Sequence, residues 1–452
     1  MINAASLADH LRSAACHDPD GLALSCAGQD WPFAELLADT RQLASELSNQ
    51  MAPSQSAVVC SGSSLMLARH AYACSFQNWA FFPVDRAQKE LPGNTPGNTA
   101  STPALPAAVA LIIATSGSEG QPRQVLLGKS QLDAAAAANH ILGLRPGDLW
   151  LNSLPLCHIG GQSILWRCAR AAAGVLLHDG FDTARVVDDL ATRPVTHISL
   201  VPAMLARLLE AGTIPPPTLR VAMIGGAALS AALYRQASAA GWPLYIGYGM
   251  SETAAQIACH TPADGPWHEG LAGRLMPGHD MRLTEDGRIC LRGPQIMIGY
   301  ADRSGLDADG WLTTGDLGEI DAAGRLSVLG RADDMLISGG HNLHPQAIES
   351  CLAACPGVSD IAVTGQPDPI WGDLIVALVV GPASPADLLA HARRHLPAAA
   401  LPRRICTVSQ LPRNAAGKLQ RAALHRLAAD AQADHPDTTA GSTAEQLAGA
   451  GA

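Results

Sequence analysis

The sequence predicts an α/β fold, with a large N-terminal domain of mixed sheets and helices and a small α+β unit at the C-terminal end. Three observations carry that expectation. The 452 residues exceed what one hydrophobic core usually supports. From Val109 onward, short β-branched or aliphatic runs alternate with Ala/Leu-rich helical stretches, the pattern of a largely parallel sheet covered by helices. After about Gly287 short apolar segments follow one another between glycine turns, as antiparallel strands do.

Taken in chain order, residues 31–48 space Phe33, Leu36, Leu37, Leu43 and Leu47 at helical intervals, which predicts a packed surface helix. Residues 91–106, rich in Pro, Asn, Gly and Thr, read as an exposed loop with little to bury. The strand ALIIAT, the helix KSQLDAAAAANHIL, the strand THISLV, the helix PAMLARLLEAG and the strand RVAMIGG follow. RICLRGPQIMIGY and GEIDAAGRLSVLG supply the short antiparallel strands. A smaller domain is expected to begin near Asp333, built from the helix AIESCLAACPG, the strands DIAVTG and LIVALVV, and the helix PADLLAHARRHL. Beyond Leu427 large apolar residues run out, so residues 428–452 read as a disordered tail.

Composition bounds the function. Apolar residues make up 48% and charged residues 15%, enough to build a sizeable core. The formal charge of −10 offers no general attraction to nucleic acid or anionic membranes, so a phosphate-bearing ligand has to be held by local geometry. The 11 cysteines are odd in number and scattered, and the nearest pair, Cys351 and Cys355, has no flanking histidines. They read as reduced thiols rather than metal ligands. The N-terminus has no basic segment followed by an apolar one, and the longest apolar runs, residues 107–114 and 374–380, fall far short of the ~20 residues that span a bilayer. A cytoplasmic protein without a membrane span is expected.

Four segments carry chemistry. TSGSEGQPR, residues 115–123, follows the strand ALIIA and groups the hydroxyls of Thr115, Ser116 and Ser118 with Gly117 and Gly120. Such a loop turns main-chain and side-chain donors toward one anion, although a solvated Ser/Gly linker has the same composition. It matches neither GxxxxGK[ST] nor GxGxxG. YIGYGMSET, residues 245–253, places Glu252 behind a hydroxyl, which suits a hard Mg²⁺ ion bridging protein and triphosphate oxygens; Tyr248 either stacks on a base or belongs to the core. WLTTGDLGEID and LGRADDMLISGGHN bring Asp316 and Arg331 to positions suited to sugar hydroxyls. LPRNAAGKLQR places Lys418 in a short loop, where it either reaches into a site or is an ordinary surface lysine.

In this order, the four segments resemble the adenylate-forming superfamily of acyl-CoA synthetases, carrier-loading adenylation domains and luciferases. The short length and the segments SLPLCHIGGQS and YGMSETAAQIA look most like o-succinylbenzoate:CoA ligases and related aryl-CoA ligases. The resemblance implies an N-terminal ATP- and acyl-binding domain over residues 1–331, and a mobile C-terminal domain over residues 332–427 with Asp333 as hinge. It implies that Thr115, Ser116, Gly117, Ser118, Gly120 and Arg123 belong to the loop over the phosphates, with Gly226 and Ala227 beside the adenine that Tyr248 stacks on. Ser251 would stand near the α-phosphate, Glu252 would hold Mg²⁺, Asp316 and Arg331 would bind ribose, and Lys418 would bridge the substrate carboxylate and the α-phosphate. His158, Gly225, Gly226, Gly249 and Met250 would line the acyl pocket, small residues leaving volume for a planar group; Gly339, Gly340 and His341 would form a pantetheine tunnel. His158 keeps the alternative of a structural histidine. Glu119 and Arg123 depart from the threonine and lysine usual in the phosphate loop.

The chemistry implied is activation of a carboxylic acid, aromatic by the pocket, with ATP and Mg²⁺. A carboxylate repels nucleophiles, and joining it to AMP supplies a leaving group of low basicity, so the enzyme's work is positioning and charge neutralisation. CoA is the expected thiol acceptor. The phosphopantetheine of an acyl carrier protein is the alternative, and a nucleotide-binding regulator without catalysis is a third reading, against which Glu252, Asp316, Arg331 and Lys418 together argue. A homodimer is left open.

Overall fold

The computed structural model describes residues 4–50, 57–86, 105–106, 108–115, 123–413 and 419–433. These form two compact units, the first running to Asp333 and the second beginning at Asp334.

The first unit is built on a 13-stranded sheet. Its parallel part sets Leu22–Cys26, Gly174–Leu177, Leu149–Asn152, His197–Leu200, Val221–Ile224 and Leu244–Met250 side by side. Four of these strands are buried at every residue, since helices cover both faces, and this is why they read as mainly apolar runs, with Asn152, His197 and Ser199 as buried polar exceptions. Antiparallel strands extend the sheet through Ala255–His260, Leu271–Leu275, Leu326–Arg331, Leu312–Ile320, Arg288–Arg292 and Asp280–Leu283.

The change to antiparallel pairing therefore comes at Ala255, earlier than the expected position after about Gly287. Ser251–Thr253 forms a single 3-10 turn, and Ala254 and Ala255 follow at φ of 50° and 89°, reversing the chain at once. Positive φ costs a non-glycine residue energy, and local bonds hold it. The Thr253 hydroxyl donates to the Ala255 carbonyl at 2.6 Å and accepts from the Met250 amide at 2.9 Å. The buried Gln295 side chain donates to the Thr253 and Gln256 carbonyls at 3.2 and 3.0 Å.

A second, five-stranded sheet runs in the order Gly299–Tyr300, Arg123–Gly128, Val109–Thr115, Ala80–Pro83, Ala57–Cys60. The helix expected over residues 31–48 is Phe33–Gln50, with Phe33, Leu36 and Ala44 buried. Trp31 instead lies in the strand Gln29–Pro32, which a tight turn at Ala27 and Gly28 pairs back onto Leu22–Cys26. The 91–104 part of the expected loop lies outside the described residues.

In the second unit, Asp360–Asp368 and Gly372–Val380 pair antiparallel along their whole length. Leu336–Ser338 with His341–Leu343 flanks one side, and Arg404–Thr407 joins Gly372–Val380 in parallel. Helices Pro345–Ala353 and Pro385–His395 pack Ile348, Leu352, Leu388 and Ala392 against Val363, Ile375 and Ala377. The helix Arg421–Ala433 runs past Leu427 into the segment expected as a tail, whose residues 434–452 lie outside the described residues. Alanines are good helix formers, and Leu424 and Ala428 are wholly buried against Ala362, Val376 and Leu378. All 11 cysteines are free, and among the described residues no helix is long and apolar enough to cross a membrane.

Candidate active site

Two parallel strands end together at the site, at the carboxyl edge where α/β sheets commonly bind ligands. Val221–Ile224 runs into Gly225 and Gly226, and Leu244–Met250 runs into the reversal at Ser251–Thr253. Gly226 adopts φ of 78°, which glycine tolerates, and Gly226 and Ala227 are exposed.

Tyr248, Asp316 and Arg331 come together from three strands. The hairpin of Leu312–Ile320 and Leu326–Arg331 sets Asp316 directly opposite Arg331. Arg331 Nη1 donates to Asp316 Oδ1 at 3.4 Å, and the Tyr248 hydroxyl donates to Asp316 Oδ2 at 2.8 Å. Burial, and then the Asp316 carboxylate, push the Tyr248 phenol well above its usual pKa, so it stays protonated and its ring is fixed in place. Gly315 makes room for the arginine: a Cβ there would stand 2.6 Å from Arg331 Nη2. Arg331 Nη2 also donates to Asp333 Oδ2 at 3.3 Å.

Glu252 sits inside the reversal, held by a residue that sequence reasoning missed. The Tyr300 hydroxyl donates to Glu252 Oε1 at 2.9 Å, and the Met297 amide donates to the Glu252 carbonyl at 2.8 Å. Burial, and then the Glu252 carboxylate, raise the Tyr300 pKa to about 12. The guanidinium carbon of Arg123 lies 5.9 Å from the centre of the Tyr300 ring. Arg123 and Thr115 face each other across the strand pair, where the Thr115 hydroxyl donates to the Arg123 carbonyl at 3.3 Å. These two residues are the feet of the loop read as phosphate-binding; Ser116, Gly117, Ser118, Glu119 and Gly120 lie outside the described residues, as does Lys418. Tyr300 closes the segment RICLRGPQIMIGY, in which no nearby residue signals its partner.

Gly249 is small for a reason other than acyl volume. The register slips between Tyr248 and Gly249, and a Cβ at Gly249 would lie 2.0 Å from the Ala255 carbonyl oxygen. The partner strand's backbone fills the space. Gly249→Ala is therefore expected to destabilise the protein by about 3 kcal/mol or more, the upper range for overpacking, read as a lowered melting temperature. An unchanged melt with weakened acid binding would return Gly249 to the pocket wall. Gly225 is less crowded, its Cβ position lying 3.4 Å from the Gly247 carbonyl. Met250 and Ser251 are half-buried beside it in the chain reversal, and His158 is a half-buried N-cap residue of the helix Ile159–Ala171.

Gly339 and Gly340 form the two-residue turn between Leu336–Ser338 and His341–Leu343, at φ of 57° and 79°, where glycine is the favoured residue. A Cβ on Gly339 would stand 3.2 Å from the Trp371 ring, whereas nothing lies near one on Gly340. His341 opens the returning strand and is exposed.

The chain is similar in sequence and fold to known proteins. Residues 87–301 match the family described as AMP-binding enzyme, and residues 347–418 match the AMP-binding enzyme C-terminal domain. The 2-succinylbenzoate–CoA ligase of Bacillus subtilis (strain 168) is 34% identical over 331 residues, 70% of this chain and 68% of that protein. The ligase of the same name from Bacillus pumilus (strain SAFR-032) is 36% identical over 335 residues, 70% of this chain and 68% of its own length. The structure of o-succinylbenzoate CoA synthetase (MenE) from Bacillus subtilis with the acyl-adenylate intermediate OSB-AMP has a TM-score of 0.78 at 27% identity, covering 92% of this chain and 97% of that one. ATP-bound MatB from Rhodopseudomonas palustris gives 0.82 at 25% identity, over 93% and 98%. With both family regions matched and relatives more than one-third identical across two thirds of their length, the chain belongs to the AMP-binding enzyme family, among its acid–thiol ligases.

Proposed function

We propose that the chain joins 2-succinylbenzoate, an aromatic acid, to AMP from ATP, releasing pyrophosphate, and then passes the acyl group to the thiol of CoA with release of AMP. The observation that carries this reading is the convergence of two phenol–carboxylate pairs, Tyr248–Asp316 and Tyr300–Glu252, on one chain reversal. The named acid rests on relatives of 34% and 36% identity that bear its name, and CoA as acceptor rests on the same names.

Each side chain then has a task. Tyr248, tethered through its hydroxyl, offers a fixed ring to adenine. Asp316 and Arg331 take the ribose hydroxyls, the carboxylate as acceptor and the guanidinium as donor. Thr115 and Arg123 anchor the phosphate loop, whose amides and hydroxyls would meet the triphosphate. Tyr300 holds one oxygen of Glu252 and so aims the other. A carboxylate placed this way suits magnesium, which is seen with ATP in the Bacillus subtilis relative; bound there, the ion would supply positive charge to the phosphate oxygens. Lys418 would neutralise the carboxylate and α-phosphate in the first transition state, and Asp333 would be the hinge about which residues 332–427 turn before the thiol attacks. Gly339, Gly340 and His341 would then meet the pantetheine arm.

Pyrophosphate release with 2-succinylbenzoate, benzoate and a short aliphatic dicarboxylate, each with CoA or a phosphopantetheinyl carrier protein, tests the assignment. Turnover with 2-succinylbenzoate and CoA is expected. Turnover confined to the aliphatic acid, or to the carrier, would overturn the substrate or the acceptor respectively. Tyr300→Phe is expected to lower adenylate formation roughly tenfold, the worth of one hydrogen bond to a charged group at about 1.4 kcal/mol. The magnesium concentration needed for half-maximal rate should rise with it, and an unchanged requirement would remove Tyr300 from the site.

A further inference from the structure

The second unit holds a side-chain cluster that the adenylation chemistry does not use. The helix Pro385–His395 presents His391 and His395 one turn apart, their rings stacked at 4.5 Å between centres. Cys351 comes from the facing helix Pro345–Ala353. One ligand atom from each of the three lies within 4.8 Å of those of the other two.

Both rings are already oriented. His391 Nε2 lies 3.1 Å from the Cys351 carbonyl, and His395 Nδ1 lies 2.9 Å from the His391 carbonyl. A carbonyl only accepts, so each of these nitrogens carries the proton, leaving a lone pair on His391 Nδ1 and on His395 Nε2. Donation of the second ring nitrogen to a backbone carbonyl is the outer-shell arrangement that metal-ligating histidines use. The structure assigns Cys351, His391 and His395 as a binding site for a borderline-soft divalent cation of the zinc class, clipping these two helices together. One sulfur and two imidazoles suit zinc and not magnesium, and exposed His395 leaves a side open for a solvent ligand. Burial raises the Cys351 thiol pKa, so the metal would bind with loss of the sulfhydryl proton to solvent.

Cobalt(II) added to the full chain tests the site by absorption. The expected result is one equivalent with a thiolate-to-cobalt charge-transfer band and the visible bands of tetrahedral cobalt, displaced by zinc. An oxygen site at Glu252 gives no thiolate band. Cys351→Ser should abolish that band. Exposed His395→Ala, which gives up only the ring stack on His391 and one bond to a helix carbonyl, should weaken cobalt binding at least about tenfold, the loss that even an outer-shell change brings. No thiolate band in the unaltered chain, or the same band and affinity in both variants with unchanged circular dichroism, would overturn the proposal.

Discussion

Lys418→Ala is expected to slow adenylate formation by ~10²–10³-fold, the cost of removing one charge stabiliser from a transition state, while sparing thioester formation from supplied acyl-adenylate. The expectation rests on the place proposed for Lys418, between the substrate carboxylate and the α-phosphate in the first step. Attack of a carboxylate on the α-phosphate brings two anions together, and a cation between them is worth most at that moment. Once the adenylate exists, the thiol meets a neutral carbonyl and the lysine has nothing left to neutralise. The residues flanking the lysine segment are anchored: Arg413 pairs with Leu419 across a short bridge, and its Nη2 donates to Asp360 Oδ1 and Oδ2 at 2.8 and 2.9 Å. ATP–pyrophosphate exchange reads the first step, and CoA-dependent consumption of synthetic adenylate reads the second. Equal loss in both would remove Lys418 from the first transition state.

The second large effect is expected from Glu252→Gln, a fall of roughly 10² in the first step, as for loss of an electrostatic stabiliser. The substitution isolates charge from structure. A glutamine oxygen still accepts the Tyr300 hydroxyl, and the Met297 amide still reaches the backbone carbonyl, so the reversal keeps its bonds. Magnesium titrations should shift to higher concentration, and a variant with wild-type rate and magnesium response would place the metal elsewhere.

The parallel sheet was legible because its strands are buried on both faces and so write themselves as mainly apolar runs, as VAMI does without interruption. Tyr248, Asp316 and Arg331 were legible as members of local segments, but their mutual bonds were not, since Tyr248 and Asp316 stand 68 residues apart. Tyr300 escaped for the same reason, its partner lying 48 residues away. Gly249 could not be explained from sequence, because a glycine's missing side chain has one signature whether ligand or backbone fills the space, and a Cβ there would lie 2.0 Å from the Ala255 carbonyl oxygen. Gly339 and Gly340 show the same ambiguity: a two-residue turn needs them at positive φ whatever approaches from outside. Trp31 was placed at the start of the helix because its strand, Gln29–Pro32, runs directly into the helix at Phe33.

Glu252 belongs by sequence to the end of the 13-stranded sheet, whereas the hydroxyl that steers it comes from the edge strand of the five-stranded sheet. The carboxylate thus spans a seam between two layers that fold from separate stretches of chain. A small slip of one layer against the other would move donor from acceptor without disturbing either layer's own ladder. Magnesium affinity should then act as a strain gauge for that seam, and substitutions deep between the layers, far from any ligand, should register first as a demand for more metal and only later as a loss of fold.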